Sequence, residues 1–468
     1  MLRQVPCWQR TSGNPPNSFT HMCYSDIPVL FMNRPYLWGN GPIIGDGNPD
    51  QPWFEYPPLT TAFVWLSRVL ARAFGGLLGT GFSNGQSDGQ LIVDSANIFW
   101  SVNTLMLAMC FALLLWAHLQ MGRDSASVYT DGIRLRAWDA LYIAASPVIM
   151  LSGLVNWDMF AVALTSLGLL MWAKSRPWAA GAVIGLAAAT KFYPLAIVGV
   201  LLILCVRAGA MKAWGRFMAG VFLAWLVVNL PLMVTNHDAW AYFWAFNESR
   251  GPDLGSLWYV LTLMGAQIAN VSVLEMVALV FSSGVIIALT LSAPRRPRVG
   301  QVALLVMVAF LAFNKVYSPQ YVLWLLPVVV LARPVLFDLL VFTISESLYF
   351  FAVWGFLGTI MPLGSGTDRL YWLATFLRIG VQLWLAGRVI RDMWAPWQDP
   401  VRAPFIDDPI GGVLKHAPDT GWLLRRGTGD VPPAPARRAG LMEESPEPGK
   451  ITVVLTPNRL AMARRRAV

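Results

Sequence analysis

The sequence predicts an all-α, polytopic membrane protein, and three observations support this prediction. Apolar residues make up 56% of the 468 positions and charged residues only 13%, whereas soluble domains are nearer a quarter charged. Apolar runs recur through most of the chain, and several approach the roughly 20 residues that a membrane-spanning helix needs. Lys and Arg concentrate in alternate loops, which is typical of loops on opposite sides of a membrane.

The net charge of +9 does not indicate a nucleic-acid partner. The basic residues follow the loops and the C-terminal tail rather than one binding face, and no basic-aromatic module of the usual kinds is present. Membrane lipids, rather than a nucleic acid, are therefore an expected partner of this basic protein.

Residues 1–96 are predicted to form an extracytoplasmic loop region. Within it, residues 23–60, CYSDIPVLFMNRPYLWGNGPIIGDGNPDQPWFEYPPLT, are polar, rich in Gly and Pro, and carry four carboxylates, namely Asp26, Asp46, Asp50 and Glu55. Residues 1–22 contain neither a signal-peptide core nor a span. A translocated loop normally follows a helix that delivers it, so we expect a further transmembrane helix ahead of this sequence. Transport of the N-terminal residues by the following helices is the alternative.

The four cysteines fall into two pairs. Cys7 and Cys23 flank a polar segment on the predicted outer side, where oxidising conditions permit a disulfide. Two free thiols are the alternative for this pair. Cys110 and Cys205 lie in apolar runs, where a thiol behaves as a small hydrophobic group.

Residues 56–76, YPPLTTAFVWLSRVLARAFGG, are predicted to form an amphipathic helix on the outer surface. Two prolines suit the first turn of a helix. Arg68 and Arg72 make a spanning helix costly, so an interfacial helix is favoured, and the alternative topology counts this segment as a span. A polar loop, residues 79–90, follows. The apolar side comprises Leu59, Phe63, Leu66, Leu70 and Phe74.

Residues 97–392 are predicted to form a transmembrane bundle of about eleven spans. Several runs are shorter than a perpendicular span requires. Short pairs that meet at a polar apex indicate broken helices around a cavity, because lipid tolerates irregular backbone only where protein or water satisfies it. The runs cover residues 97–119, 138–153, 155–173, 178–190, 194–208, 216–235, 272–292, 299–314, 320–333, 335–358 and 370–392.

The Lys and Arg distribution orients this bundle. Eleven crossings place fourteen basic residues between Arg123 and Arg391 in loops on one side and only four on the other, Lys191, Arg250, Lys315 and Arg369. Because basic loops stay in the cytoplasm, the acidic loop is predicted outside. Residues 393–468, rich in Pro and Gly with mixed charges and no apolar period, are predicted to form a largely disordered, basic cytoplasmic tail.

A candidate site lies where the outer apices of the spans meet. Three basic residues there can neutralise a phosphate or diphosphate, and neighbouring aromatic residues offer flat faces for a sugar or a prenyl chain. Snorkelling cations and an aromatic interface belt are the structural alternative, but anchoring residues would occur at both interfaces. The candidate substrate-binding residues are Asn156, Asp158, Lys191, Tyr193, Arg250, Lys315, Ser318 and Gln320. No His or Cys cluster has metal-ligand spacing, so no metal is predicted.

Five segments taken together resemble glycosyltransferase family 87. They are CYSDIP at 23–28, FEYPPL at 54–59, LVNWD at 154–158, ATKFYPL at 189–195 and NKVYSPQYVLWLLP at 314–327. The resemblance holds in order and spacing from Cys7 to Arg391. These are C-type membrane enzymes that depend on a polyprenyl-phosphate sugar, including actinobacterial mannosyltransferases that extend phosphatidylinositol mannosides and lipomannan. The chain departs from the family at the N-terminus, where the usual first transmembrane helix is absent.

The resemblance implies a C-type glycosyltransferase-like helical bundle in a bacterial plasma membrane, with an active site that faces outside. A sugar, expected to be mannose, would pass from a polyprenyl-phosphate carrier to the hydroxyl of a lipid or glycan acceptor, with inversion. The donor is a substrate, and no cofactor is expected.

A first-loop carboxylate serves as general base in the family, and the matching position here is Asp26, with Glu55 as the rival. A sugar hydroxyl needs a base to accept its proton, whereas a phosphate leaving group needs only cations to stabilise its charge.

Two other readings are compatible with the sequence. A transporter or flippase of a lipid-linked saccharide would share the cavity and the broken helices, but the two halves of the chain show no convincing repeat. A transferase for another sugar, such as arabinofuranose, or for a whole glycan would use the same residue types. The sequence leaves the sugar open because hydroxyl recognition depends on pocket geometry.

Overall fold

The computed structural model is a bundle of helices, which confirms the predicted all-α membrane fold. It describes residues 4–8, 17–39, 41, 44–48, 52–79, 82–83, 88–123, 126–129, 132–402, 408–415, 417, 419, 443–444 and 451–452. The helices are α1 (Val5–Trp8), α2 (Asp26–Asn33), α3 (Pro35–Trp38), α4 (Pro58–Leu77), α5 (Gly89–Gly122), α6 (Ala140–Ala144), α7 (Pro147–Ser152), α8 (Asp158–Ala173), α9 (Pro177–Ala188), α10 (Leu195–Arg207), α11 (Met211–Thr235), α12 (His237–Ser249), α13 (Leu257–Leu263), α14 (Val271–Ser292), α15 (Val299–Phe313), α16 (Val322–Ala332), α17 (Leu336–Leu357) and α18 (Arg369–Trp394).

Short 3-10 helices and strands complete the described elements. The 3-10 helices are Arg136–Asp139, Pro319–Tyr321, Pro396–Gln398 and Gly412–Leu414. Strands β1 (Ala126–Tyr129) and β2 (Gly132–Leu135) pair antiparallel, as do β3 (Glu443–Glu444) and β4 (Ile451–Thr452).

Among the described residues, five helices are long and apolar enough to cross a membrane: α5, α11, α14, α17 and α18. Five shorter apolar helices stand at Asp158–Ala173, Pro177–Ala188, Leu195–Arg207, Val299–Phe313 and Pro319–Ala332. The predicted run 138–153 is divided between α6 and α7, with a break before Pro147. The count of eleven crossings stays a prediction, while the predicted broken helices are present.

Helices α9 and α11 pack with their backbones in contact. A Cβ on Gly181 would lie 1.9 Å from the carbonyl oxygen of Phe217, and one on Gly185 would lie 2.3 Å from that of Val221. Small residues four apart permit such an approach between membrane helices. The contact holds the C-terminal end of α9, which leads directly into the Lys191 apex.

Helix α4 covers the predicted amphipathic segment, and its apolar side is partly buried and partly exposed. Phe63 is buried, whereas Leu66 and Phe74 are exposed. The buried side carries Arg68, whose guanidinium donates to the carbonyl oxygens of Tyr36 at 2.9 Å and Gly41 at 3.0 Å. Arg68 and Arg72 thus donate to loop carbonyl groups inside the protein, and some apolar side chains of α4 lie on its exposed side.

The first loop is fastened at both ends, and its boundary differs from the predicted one. Cys7 and Cys23 form a disulfide, which confirms the predicted pairing and excludes two free thiols. Helix α5 begins at Gly89 rather than at 97, because the side chain of Asp88 caps it by accepting from the amides of Gln90 and Leu91. Much of the predicted polar loop 79–90 lies outside the described residues.

The prediction of a disordered tail from 393 onward is wrong for its first part. Asp399 accepts from Arg298 Nε at 2.8 Å and Nη2 at 2.9 Å, and both side chains are buried. Asp408 accepts from the amide of Val299 at 2.8 Å. The prediction from Pro and Gly content did not consider these aspartates, which pair with the Arg298 guanidinium and with the backbone amide at the start of α15. Most of the tail beyond 419 lies outside the described residues.

Replacing Asp399 with Ala is expected to destabilise the bundle by about 3–5 kcal/mol, because it leaves the Arg298 guanidinium buried without its carboxylate. Thermal unfolding in detergent measures the effect. Lys415→Ala, at an exposed position of the same segment, is the matched control and is expected to unfold like the wild type. Equal unfolding temperatures for the wild type and Asp399→Ala would contradict the structural role of this segment.

Candidate active site

A cavity of about 1070 Å³ opens where the first loop meets the broken ends of the helices. Its walls come from the first loop, from the apices at 155–156 and 191–193, and from α12 and α14. Residues 310–324 and the C-terminal end of α17 close it. The predicted site residues other than Asp158 line this cavity, namely Asp26, Glu55, Asn156, Lys191, Tyr193, Arg250, Lys315, Ser318 and Gln320.

Asp26 stands at the first position of α2, on the wall of the cavity. Its amide donates to the carbonyl oxygen of Val155 at 2.7 Å, which ties the start of α2 to the break between α7 and α8. Tyr24 Oη donates to Asp26 Oδ1 at 2.8 Å, and Asn156 Nδ2 donates to Oδ2 at 2.7 Å. The same Asn156 nitrogen also donates to Tyr56 Oη at 2.7 Å. Both oxygens are thus oriented by neutral donors.

The surroundings of Asp26 suit a carboxylate that can accept a proton. Burial raises the pKa of Asp26 above its ordinary value, although hydrogen bonds from Tyr24 and Asn156 and the charge of Lys191 act in the opposite direction. Burial also raises the pKa of Tyr24 and of Tyr56, so both phenols stay protonated. A carboxylate with a raised pKa is a more effective general base near neutral pH.

Glu55, the rival carboxylate, is held differently. Arg34 Nη2 lies 3.4 Å from each of its carboxylate oxygens. The guanidinium compensates the charge of Glu55, whereas no cation of the described residues lies within ion-pair distance of Asp26. The geometry therefore favours Asp26 as the base and gives Glu55 a loop-holding contact.

Lys191 is positioned by Asp158, which is fully buried behind the cavity wall. The Nζ of Lys191 lies 3.6 Å from Asp158 Oδ1, and Trp324 Nε1 donates to the same oxygen at 2.9 Å. Lys191 also lies over the ring of Tyr56, 4.9 Å from its centroid. Asp158, one of the predicted substrate-binding residues, does not line the cavity and contacts Lys191 from behind its wall.

Arg250 and Lys315 lie on the side of the cavity formed by α12 and α14. Arg250 pairs with Asp253. Lys315 Nζ donates to the carbonyl oxygen of Glu248 at 3.0 Å and to Ser272 Oγ at 3.2 Å, so it bridges the end of α12 and the start of α14. Its partners at those two contacts are uncharged, while the carboxylate of Glu275 accepts from the Lys315 amide at 3.4 Å and interacts with the charge of Lys315.

The remaining predicted residues have distinct surroundings. Tyr193 lines the cavity, but its hydroxyl donates to Thr165 Oγ1 at 3.1 Å and its ring stacks on Trp324. Gln320 is buried, and its Oε1 has no hydrogen-bond partner within the described part of the chain. Such an acceptor is costly unless a ligand or water donates to it, so Gln320 fits a binding role.

A buried cluster behind the cavity holds the segment that carries Lys315 and Ser318. Arg378 Nε donates to Glu346 Oε2 at 2.9 Å, and its Nη1 donates to the carbonyl oxygen of Tyr317 at 3.0 Å. Gln382 Nε2 donates to Glu346 Oε1 and to Tyr317 Oη, each at 2.6 Å. Helices α17 and α18 therefore contribute side-chain hydrogen bonds that hold the segment 313–321.

Sequence reasoning missed several residues of this cavity. Tyr24 and Tyr56 lie beside the predicted carboxylates in CYSDIP and FEYPPL, so their adjacency was an available signal. Asp253 follows Arg250 by three residues, a spacing that suits an ion pair. Arg34, by contrast, has no local pattern that connects it to Glu55. Across the described residues, no group of three or more His, Cys, Asp or Glu is arranged to hold a metal ion.

Two comparisons with known proteins bear on this arrangement. The model of glycosyltransferase family 87 matches residues 53–319 of the chain. A search of curated proteins finds no match. The matched segment contains eight of the predicted site residues, and Asp26 and Gln320 lie outside it.

Replacing Arg378 with Met is expected to destabilise the protein by about 3–5 kcal/mol, because it leaves Glu346 buried without its cation. Thermal unfolding in detergent is the measurement. Arg369→Met changes an exposed arginine at the start of the same helix and is expected to have little effect. A double variant, Arg378→Met with Glu346→Gln, is expected to recover part of the loss. Equal unfolding temperatures for Arg378→Met and Arg369→Met would refute the bracing role of Arg378.

Proposed function

The chain belongs to glycosyltransferase family 87 and is therefore a membrane glycosyltransferase, and we propose that it transfers a sugar from a polyprenyl-phosphate carrier to an acceptor hydroxyl with Asp26 as general base. The observation that carries the proposal is one continuous run of contacts on the cavity wall. Asp26 contacts Asn156, Asn156 contacts Tyr56, and Tyr56 contacts Lys191. A proton acceptor and a cation thus stand close together on one wall.

The proposed reaction is a single displacement at the anomeric carbon. The acceptor oxygen forms a bond to that carbon as the bond to the phosphate oxygen breaks, and the bonding electron pair leaves with the phosphate. The acceptor proton passes to the Asp26 carboxylate. The products are the glycosylated acceptor, with inverted anomeric configuration, and the polyprenyl phosphate. One positioned base suffices because the leaving group is already an anion.

The cations supply the second requirement of this reaction. Negative charge grows on the phosphate oxygen in the transition state, and preorganised cations stabilise it without solvent reorganisation. Lys191 is held toward the cavity by buried Asp158, and Lys315 bridges α12 and α14. The proposal assigns the phosphate to the side of the cavity that these two lysines line. The donor is a substrate, and the residues required for the step come from the chain itself.

We further propose mannose as the sugar, a lipid or glycan as the acceptor, and the outer face of a bacterial plasma membrane as the location of the cavity. The sugar and acceptor follow from the resemblance of the five sequence segments. The orientation is supported by the basic residues, since Lys191, Lys315 and Arg250 lie at the cavity whereas Arg207 and Arg298 lie at the opposite ends of the helices, beside the packed tail.

Asp26→Asn is expected to lower sugar transfer by about 10²–10⁴-fold, the usual contribution of a general base. The assay follows radiolabelled mannose from polyprenyl-phosphate-mannose to membrane lipid acceptors, with purified protein of matched unfolding temperature. Glu55→Gln is the paired variant and is expected to retain most of the activity. Equal transfer by the wild type and Asp26→Asn would exclude Asp26, and a collapse confined to Glu55→Gln would make Glu55 the base.

The pH dependence of transfer is expected to follow Asp26. The base acts ionised, so the rate falls as pH decreases through its raised pKa, and the loss begins above the ordinary carboxyl range near pH 4. Asn156→Ala removes a hydrogen bond that lowers the pKa of Asp26, so its acid limb is expected at higher pH than that of the wild type. Glu55→Gln is expected to leave the limb in place. Identical pH profiles for the wild type and Asn156→Ala would contradict this assignment.

A further inference from the structure

We propose that the rings of Phe19 and Tyr24, supported by the buried ring of Trp354, form a platform for the sugar ring of a glycan acceptor. This inference rests on the proposed function and assigns the acceptor a place within the same cavity. The three rings are called the aromatic platform below. They all line the cavity, and none was among the predicted site residues.

The geometry of the aromatic platform suits a flat ligand face. The ring centroids of Phe19 and Tyr24 are 5.1 Å apart with an interplanar angle of 20°, and those of Phe19 and Trp354 are 5.8 Å apart at 18°. Tyr24 and Trp354 are 5.1 Å apart at 38°. Phe19 thus stacks on both other rings, and Trp354 is only 3% exposed. The half-buried rings of Phe19 and Tyr24 therefore supply the apolar surface on which the C–H groups of a pyranose can pack.

The place of the aromatic platform relative to the base points to the acceptor rather than the donor. Tyr24 belongs to the platform and donates to Asp26. On the cavity wall, contacts run from Tyr24 of the platform to Asp26 and then through Asn156 and Tyr56 to Lys191. Asp26 therefore lies between the platform and Lys191 in this series of contacts. In an inverting displacement the attacking hydroxyl approaches from the face opposite the phosphate. A sugar on the platform would bring its hydroxyl to Asp26 from the side away from Lys191.

Polar groups beside the aromatic platform favour a sugar over an alkyl chain. Tyr24 Oη, Asp26 and the amide of Asn156 lie at its edge, and hydroxyl groups can exchange hydrogen bonds with them. An alkyl chain would desolvate these groups without replacing their hydrogen bonds. The wall with Phe246 and Met276 also carries Lys315, which is assigned to the phosphate, so its apolar side chains are assigned to the carrier chain of the proposed donor.

The loop that carries the aromatic platform is held rigid before any ligand binds. Cys23 is joined to Cys7 by the disulfide, and its amide donates to the carbonyl oxygen of Ser18 at 2.9 Å. Asn17 Oδ1 accepts from the amide of Phe19 at 3.0 Å. Preorganisation of this kind lowers the entropy cost of binding, so the disulfide contributes to acceptor affinity through Phe19.

The test compares Phe19→Ala with the wild type, using methyl and octyl α-mannosides as acceptors. The aromatic contact predicts that the acceptor KM rises about three- to tenfold, equally for both glycosides, while the donor KM stays unchanged. Phe19→Tyr keeps an aromatic face and is expected to restore the acceptor KM. Phe246→Ala, on the opposite wall of the cavity, is the paired variant and is expected to raise the donor KM instead. All variants are compared at matched unfolding temperature.

Each outcome separates the platform from the function on which it rests. Transfer by the wild type with an unchanged acceptor KM in Phe19→Ala would overturn the platform alone, and a rise limited to the octyl glycoside would assign the rings to an alkyl chain. Absence of transfer from any polyprenyl-phosphate sugar would overturn the proposed function. Binding of radiolabelled methyl α-mannoside without donor tests the platform independently: weaker binding by Phe19→Ala than by the wild type supports it, and no binding by the wild type refutes it.

Discussion

The arrangement of the cavity depends on one constraint, the need to satisfy backbone carbonyl groups where membrane helices break. Water is scarce at such breaks, so another part of the chain must donate to them. The first loop does so at two apices. The amide of Asp26 donates to the carbonyl oxygen of Val155, and Leu59 and Thr60 at the start of α4 donate to Ala189 and Thr190. These bonds bring the acidic loop onto the apices that carry Asn156 and Lys191.

The buried ion pair beside the tail and the wall of the cavity differ in how their polar groups are satisfied. Beside the packed tail, Arg298 and Asp399 form a buried pair with further hydrogen bonds to carbonyl groups, which is the arrangement expected of a structural ion pair. At the cavity, the buried Gln320 Oε1 has no hydrogen-bond partner among the described residues. A ligand or water can satisfy this acceptor, whereas the Arg298–Asp399 pair is satisfied within the protein.

The sequence predicted the fold class and most of the cavity because both depend on local patterns. Apolar runs reveal helices, and polar residues at their ends are conspicuous, which is why Lys191 and Lys315 were placed correctly on the cavity wall. Contacts between residues that are distant in sequence produce no local pattern that could predict them. The contact of Asp399 with Arg298 spans 101 residues, and a Pro-rich composition concealed it. Asp158 was recognised as polar, but only the packing of Trp324 shows that it faces Lys191 rather than the cavity.

The most direct test of the account is a structure of the protein with a non-transferable analogue of a polyprenyl-phosphate sugar. The central claim is that Asp26 and the phosphate lie on opposite faces of the anomeric carbon. The account predicts a phosphate beside Lys191 and Lys315, with the Asp26 carboxylate facing the carbon from the other side. A phosphate bound beside Asp26, or an analogue bound outside the cavity, would contradict it.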